Sequence, residues 1–320
     1  MSWEHDRRSL LVDAVCATVA YADVFDCALT ASDVRAGLVY VAGTVEDARE
    51  ATGQAVQARR LVSLGEYITL PNRSELALLR RQREKRAAAL WSNAWRYGQI
   101  LSALPFIRMV GVTGSLAANN PVADADIDFM LVSAPGRLWL ARAGAVAIVR
   151  LASARGATIC PNYLITTRAL NLAERDLYTA HELCQLVPIS GFNTYRELRA
   201  RNQWVASFLP NRAGERRLFA PEPGIAQITQ SLGEAVLSGR VGSWLDEWEG
   251  RRKIARFRRV GPAATFDQDV CEGHFRRHRD AVLRAFAERS ARIGVDVTAL
   301  RDAAATYSPP PSTEHYELAG

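Results

Sequence analysis

Gly111-Val112-Thr113-Gly114-Ser115, followed after ten intervening residues by Asp126-Ile127-Asp128 and the apolar run Phe129 to Val132, is the stretch that decides how this chain is read. Met109 to Val112 is apolar and partly β-branched, which predicts a short buried strand. Gly114 permits a tight turn and close approach of a ligand to the backbone. Ser115 then suits the N-cap of a short helix beginning near Leu116, where free N–H groups would favour an anion. In the second half, side chains alternate along a strand, so Asp126 and Asp128 point to one face and Ile127 to the other. Two carboxylates this close repel each other unless a cation lies between them, and Mg²⁺, which favours oxygen ligands, is the natural candidate. The competing reading is a surface loop with acidic turn residues.

At these residues the chain resembles the polymerase-beta-like nucleotidyltransferase superfamily, whose signature is a Gly-Ser or Gly-Gly turn, a gap of about ten residues and Asp-x-Asp on a strand. The resemblance covers residues 105–190. It implies an α+β fold with a mixed sheet flanked by helices, an NTP donor, two-metal catalysis and attack of an acceptor hydroxyl on the α-phosphorus. It also implies that Asp126 and Asp128 ligate the metal and that Gly114 and Ser115 hold the β- and γ-phosphates. Ala117-Ala118-Asn119-Asn120 stands where many members carry Ala-Arg-Gly. The third acid usual in the family comes from a later strand, here Thr158 to Thr166, which contains Asn162 but no acid. Glu182, after His181 on the next helical segment, is the candidate for that role.

Outward from the core, residues 1–72 present three helical patterns and then Leu61 to Leu70 as a β-hairpin, an order that resembles a winged helix. Thr30 and Thr44 suit helix N-caps. DNA binding through this region is a possible reading. The less specific one, an interaction module, is favoured because Glu46, Asp47 and Glu50 offset Arg49, Arg59 and Arg60 on the third helix. Residues 73–104 read as a connector helix with a charged middle at Arg80 to Arg86, expected to be a solvated face. Downstream, Arg137 to Ala154 reads as a helix and Ala173 to Val187 as another, ended by Pro188. Residues 191–307 read as a C-terminal helical domain and 308–320 as a disordered tail. His274 and His278 share a helical face at i, i+4 but have arginines around them, so zinc is not expected there. Asp267 and Asp269 are expected to start that helix.

Composition limits the function classes. The chain has 320 residues, a net charge of +6 and only two lysines, Lys85 and Lys253. No apolar run approaches the ~20 residues that span a bilayer. The five cysteines are scattered with no CxxC pair, and no signal-peptide pattern follows the charged start, so the expected setting is a reducing cytoplasm. The positive balance suits a polyanionic partner such as an NTP. The function expected is a Mg²⁺-dependent nucleotidyltransferase acting on an acceptor that is a small molecule rather than protein or RNA. The alternative is a non-catalytic, nucleotide-sensing DNA-binding regulator.

Overall fold

The computed structural model describes residues 2–212, 224–258, 266–272 and 275–307; the expected tail at 308–320 and the side chain of His274 lie outside them. The fold class is α+β. Contacts divide the described chain into two compact units: residues 2–74 with 206–212 and 285–307, and residues 75–205 with 224–258, 266–272 and 275–284.

In the first unit, α1 (Ser2–Asp23), α2 (Ala31–Ala36) and α3 (Val45–Gln57) accompany a three-stranded antiparallel sheet, ordered β1-β3-β2, of β1 (Leu29–Thr30), β2 (Val62–Leu64) and β3 (Tyr67–Thr69). Both expected threonine caps form capping boxes, Thr30 with Asp33 and Thr44 with Asp47, so each helix start satisfies its orphan N–H groups locally. Ala14, Val15, Val19, Val34, Leu38 and Ala55 fill the core. Buried Asp23 meets Arg73 at 3.2 Å and Arg289 at 2.7 Å, which compensates a carboxylate removed from water.

Arg7 fastens α1 to α3 through two 3.1 Å hydrogen bonds to Asp47. That guanidinium, aided by Thr44 and opposed by burial, holds the Asp47 carboxyl down at about 2. A depressed folded pKa adds stability above the ordinary carboxylate range, and the gain is lost as pH falls through about 2. Both groups are partly open to solvent, so Arg7→Ala is expected to cost only about 1 kcal/mol. Urea unfolding should show that difference at pH 7 and lose it in strong acid. An equal loss at both pH values would rule out the pair as its source.

The second unit is built on a five-stranded mixed sheet ordered β7-β4-β5-β6-β8. It enters through α4 (Glu75–Ser102), followed by β4 (Ile107–Val112), the four-residue α5 (Gly114–Ala117) and β5 (Ile127–Ser133). Then come α6 (Leu138–Ser153), β6 (Ile159–Thr166), α7 (Leu177–Gln185), β7 (Val187–Ser190) and α8 (Phe192–Arg201). After α9 (Gly224–Leu237) and α10 (Arg240–Arg258), β8 (Val270–Glu272) closes the far edge. Two helices follow, α11 (Phe275–Arg292), which supplies residues to both units, and α12 (Val297–Tyr307) in the first. The β5–β6 pair is parallel, and every other pairing in this sheet is antiparallel.

The central strand β5 separates two environments. Ile127, Phe129 and Leu131 pack into the main core with Ala87, Ala94, Tyr97 and Leu101 of α4 and Leu138, Trp139 and Ala145 of α6. The alternate residues, Asp128 and Met130, belong to the opposite face by the period of the strand.

Several expectations need correcting. Arg80 and Arg83 of α4 are each 6% exposed, so this part of the charged run is not a solvated face. Arg83 donates to Asn120 Oδ1 at 3.0 Å, and Arg86 donates to the Pro121 carbonyl at 2.9 Å. Together they tie down the segment that leads into Asp126. Helix α7 stops at Gln185, and Pro188 lies within a strand instead of ending the helix. Asp267 starts no helix. Its carboxylate accepts the N–H groups of Asp269 and Val270 at 2.7 Å each and turns the chain into β8.

Candidate functional site

Strand β4 ends at Val112, and Thr113 donates its N–H to the Asp128 carbonyl at 2.9 Å. The chain then reverses at Gly114, with φ +66°. The expected Ser115 cap is corrected: Thr113 occupies the N-cap position without a side-chain bond, and Ser115 lies inside α5, where its carbonyl accepts the Asn120 N–H at 2.8 Å. Gly114 serves a more specific purpose than turning the chain. A Cβ there would lie 2.5 Å from Asp128 Oδ2, so the turn and the carboxylate are in direct contact.

The two aspartates converge. Donor atoms of Asp126, Asp128 and Cys160 all lie within 4.8 Å of one another. Asp128 and Cys160 are register partners across the parallel β5–β6 pair. Burial and then the nearby Asp126 push the Asp128 carboxyl up to about 7, against a hydrogen bond from Asn162. Burial and the two aspartates push the Cys160 thiol up to about 11.

Glu182 joins this group from α7. Its carboxyl accepts the Gly114 backbone N–H, and burial followed by the charge on Asp128 raises it to about 7. The glycine turn is therefore held between two carboxylates from different elements. Sequence reasoning named Glu182 by proximity in the chain; the structural reason is the Asp176 cap. The Asp176 side chain accepts the Thr179 N–H at 2.8 Å and starts α7, whose face then carries Tyr178 and Glu182. Burial and then Glu182 and Asp128 push the Tyr178 hydroxyl upward, so it too lies close to the acidic group.

Asn162, on β6, has a feature not legible in sequence. Along β5–β6 the partners run Phe129 with Pro161 and then Met130 with Tyr163. Asn162 is the extra residue of a β-bulge, a device that re-aims a side chain, and here the amide reaches Asp128. Arg168 and Arg175, which follow β6 in the chain, are exposed.

A cavity of about 160 Å³ opens beside these groups. Thr113 and Glu182 belong to its wall, with Met130, Tyr163, Leu183 and Leu186 supplying much of the apolar lining. The Thr113 hydroxyl is buried and has no hydrogen-bond partner among the described residues. An orphaned hydroxyl in a cavity wall is available to a ligand.

Asp126 and Asp128, with Cys160 beside them, form a group whose two carboxylates an oxygen-favouring divalent cation fits, since such an ion offsets the charge of Asp126 on Asp128; Glu182 adjoins Asp128 at the Gly114 turn. No protein-family model matches the chain, and comparison with curated proteins and with solved structures gives no match. No helix among the described residues is long and apolar enough to cross a membrane.

Proposed function

We propose that this chain is a Mg²⁺-dependent nucleotidyltransferase that moves an NMP from an NTP to a hydroxyl of a small acceptor. The observation that carries the reading is the meeting of Asp126 and Asp128, with Cys160, beside a Gly114 turn that touches both Asp128 and Glu182 at the edge of a cavity. Asp126 and Asp128 would hold the cation, with Glu182 as the third acid. When bound, that ion supplies positive charge against the phosphates as pyrophosphate departs.

The chain's own groups account for the remaining roles. Ser115 would meet the β- and γ-phosphates with Gly114, whose own N–H is engaged by Glu182. Asn162 orients Asp128 through its side-chain hydrogen bond. The acceptor hydroxyl, held in the cavity, would attack the α-phosphorus in line. Its oxygen forms the new P–O bond, the bond to the β-phosphate oxygen breaks, and Glu182 at the cavity wall takes the hydroxyl proton. Burial, the largest cause of its raised pKa, makes that carboxyl more basic than an ordinary one.

A second reading, a nucleotide-sensing regulator without turnover, draws on Asn162 standing where the family strand carries an acid. Its DNA-binding arm would be the first unit, in which α1, α2 and α3 accompany a three-stranded antiparallel sheet. Helix α3 offers this arm little charge, because Asp47, Glu50 and Glu46 engage Arg7, Arg8 and Arg49. The enzyme reading is therefore preferred.

Calorimetry with each NTP, with and without Mg²⁺, on the wild type and on Asp126→Asn/Asp128→Asn tests it. One NTP should bind in a metal-dependent way and lose that binding in the variant. Tight NTP binding that ignores both Mg²⁺ and the substitutions would overturn the assignment.

A further inference from the structure

We infer that the cavity bounded by Thr113, Tyr163, Tyr178, Glu182 and Glu272 is the acceptor site and that it selects a cationic amino alcohol with an apolar body, an inference that rests on the nucleotidyltransferase reading. The location comes first. Glu182 both lines the cavity and contacts the Gly114 turn, so a hydroxyl seated in the cavity lies at the edge of the acidic group. The orphaned Thr113 hydroxyl offers a hydrogen bond to that same end.

The size and lining set the body of the ligand. A cavity of about 160 Å³ falls below the ~300–1,000 Å³ of drug-sized sites. It suits one ring or a short branched chain. Met130, Leu172, Leu183, Leu186 and Val270 provide apolar surface for it.

The charge sets the rest. The wall carries three carboxylates, Glu174, Glu182 and Glu272, and one guanidinium, Arg279. That guanidinium is itself surrounded by acid, with Glu174 at 2.7 Å, Asp176 at 3.4 Å and Asp280 at 3.2 Å. The two tyrosine hydroxyls report the resulting field. Burial raises each first. Glu272, Glu174 and Asp267 then raise Tyr163, while Glu182, Asp128, Asp176 and Glu272 raise Tyr178. A phosphate, carboxylate or nucleic-acid acceptor would meet like charge in a half-enclosed space, whereas an ammonium is attracted and can also face the tyrosine rings.

A matched series isolates charge from shape: 2-amino-1-phenylethanol, 1-phenyl-1,2-ethanediol and mandelate share the ring and the benzylic hydroxyl. Ligand-observed NMR titration of the full chain without nucleotide should rank them amine, diol, mandelate, with about tenfold between the extremes. Glu272→Gln, which preserves shape, should compress that range toward one. Thr113→Val should weaken all three alike. Mandelate binding as well as the amine, an unchanged range in Glu272→Gln, or no binding by any of the three would overturn the inference.

Pyrophosphate release with NTP and Mg²⁺ separates the two readings. Charge-selective binding of the amine without turnover by any NTP would keep the pocket and remove the transferase. Turnover confined to mandelate or the diol would keep the transferase and remove the cationic acceptor.

Discussion

Asp128→Asn is expected to reduce nucleotidyl transfer about a thousandfold or more, while making the metal-free protein harder to unfold at pH 8. The two effects share one cause. Asp128 is held largely out of water and forced next to Asp126, which together raise its pKa to about 7. A carboxyl raised on folding takes a proton that the unfolded chain releases. Stability therefore falls as pH climbs from the ordinary carboxylate range to about 7, and the full cost is present above it. Asparagine removes the cost along with the ligand. Solvent access at the site limits the gain to about 2 kcal/mol, roughly half of what a shift of this size carries in full. The check is thermal unfolding in EDTA at pH 5 and pH 8, followed by Mg²⁺ addition. Wild type should gain stability from the metal at pH 8 and the variant should not. If Asp128→Asn is less stable than wild type at pH 8 without metal, the carboxylates are not in repulsion and the proposed metal site loses its physical basis.

Gly114→Ala is the second large effect, and the molecule supplies its own control. Gly114 and Gly136 both have φ +66°, but a Cβ at Gly136 meets nothing within 4 Å, while at Gly114 it strikes Asp128 Oδ2 at 2.5 Å. Alanine at Gly136 brings only backbone strain, about 1 kcal/mol. Alanine at Gly114 adds a collision with a side chain that has Asp126 and Asn162 around it. A loss on the order of 3 kcal/mol is expected in urea unfolding, together with loss of metal-dependent NTP binding. The difference between the two variants isolates the contact. Equal costs would mean that the turn and Asp128 do not touch in solution.

What the sequence showed and what it hid follow from how local each signal is. Gly114, the strand pair around Asp126-Ile127-Asp128 and the β6 strand rest on side-chain period and turn chemistry over a few residues. Glu182 was within reach because α7 is next in the chain after β6. Pro188 was misread because proline ends helices but is also tolerated in an edge strand, and β7 is an edge of the five-stranded sheet. Arg83 was misread because its partner Asn120 is 37 residues away and no helical period announces it. The cavity acids show the same distance effect. Glu174 precedes α7 and Glu272 ends β8, so only the sheet order brings them to one wall.

The bulge at Asn162 makes the count of residues in one strand part of the chemistry. Cys160 faces Asp128 and Tyr163 faces Met130 across the parallel pair, although Cys160 and Tyr163 are three positions apart. In an unbroken strand an odd separation places two side chains on opposite faces. The bulge leaves the extra residue out of the pairing and so keeps the parity, and the acidic group and the cavity beside it share one side of the sheet. A one-residue deletion at 162 would remove the bulge together with the amide that reaches Asp128. Cys160 and Tyr163 would then be two positions apart, so an unbroken strand would keep Tyr163 opposite Met130 and Leu164 opposite Leu131. The chain keeps its reacting end and its selecting end together by arithmetic as much as by any bond.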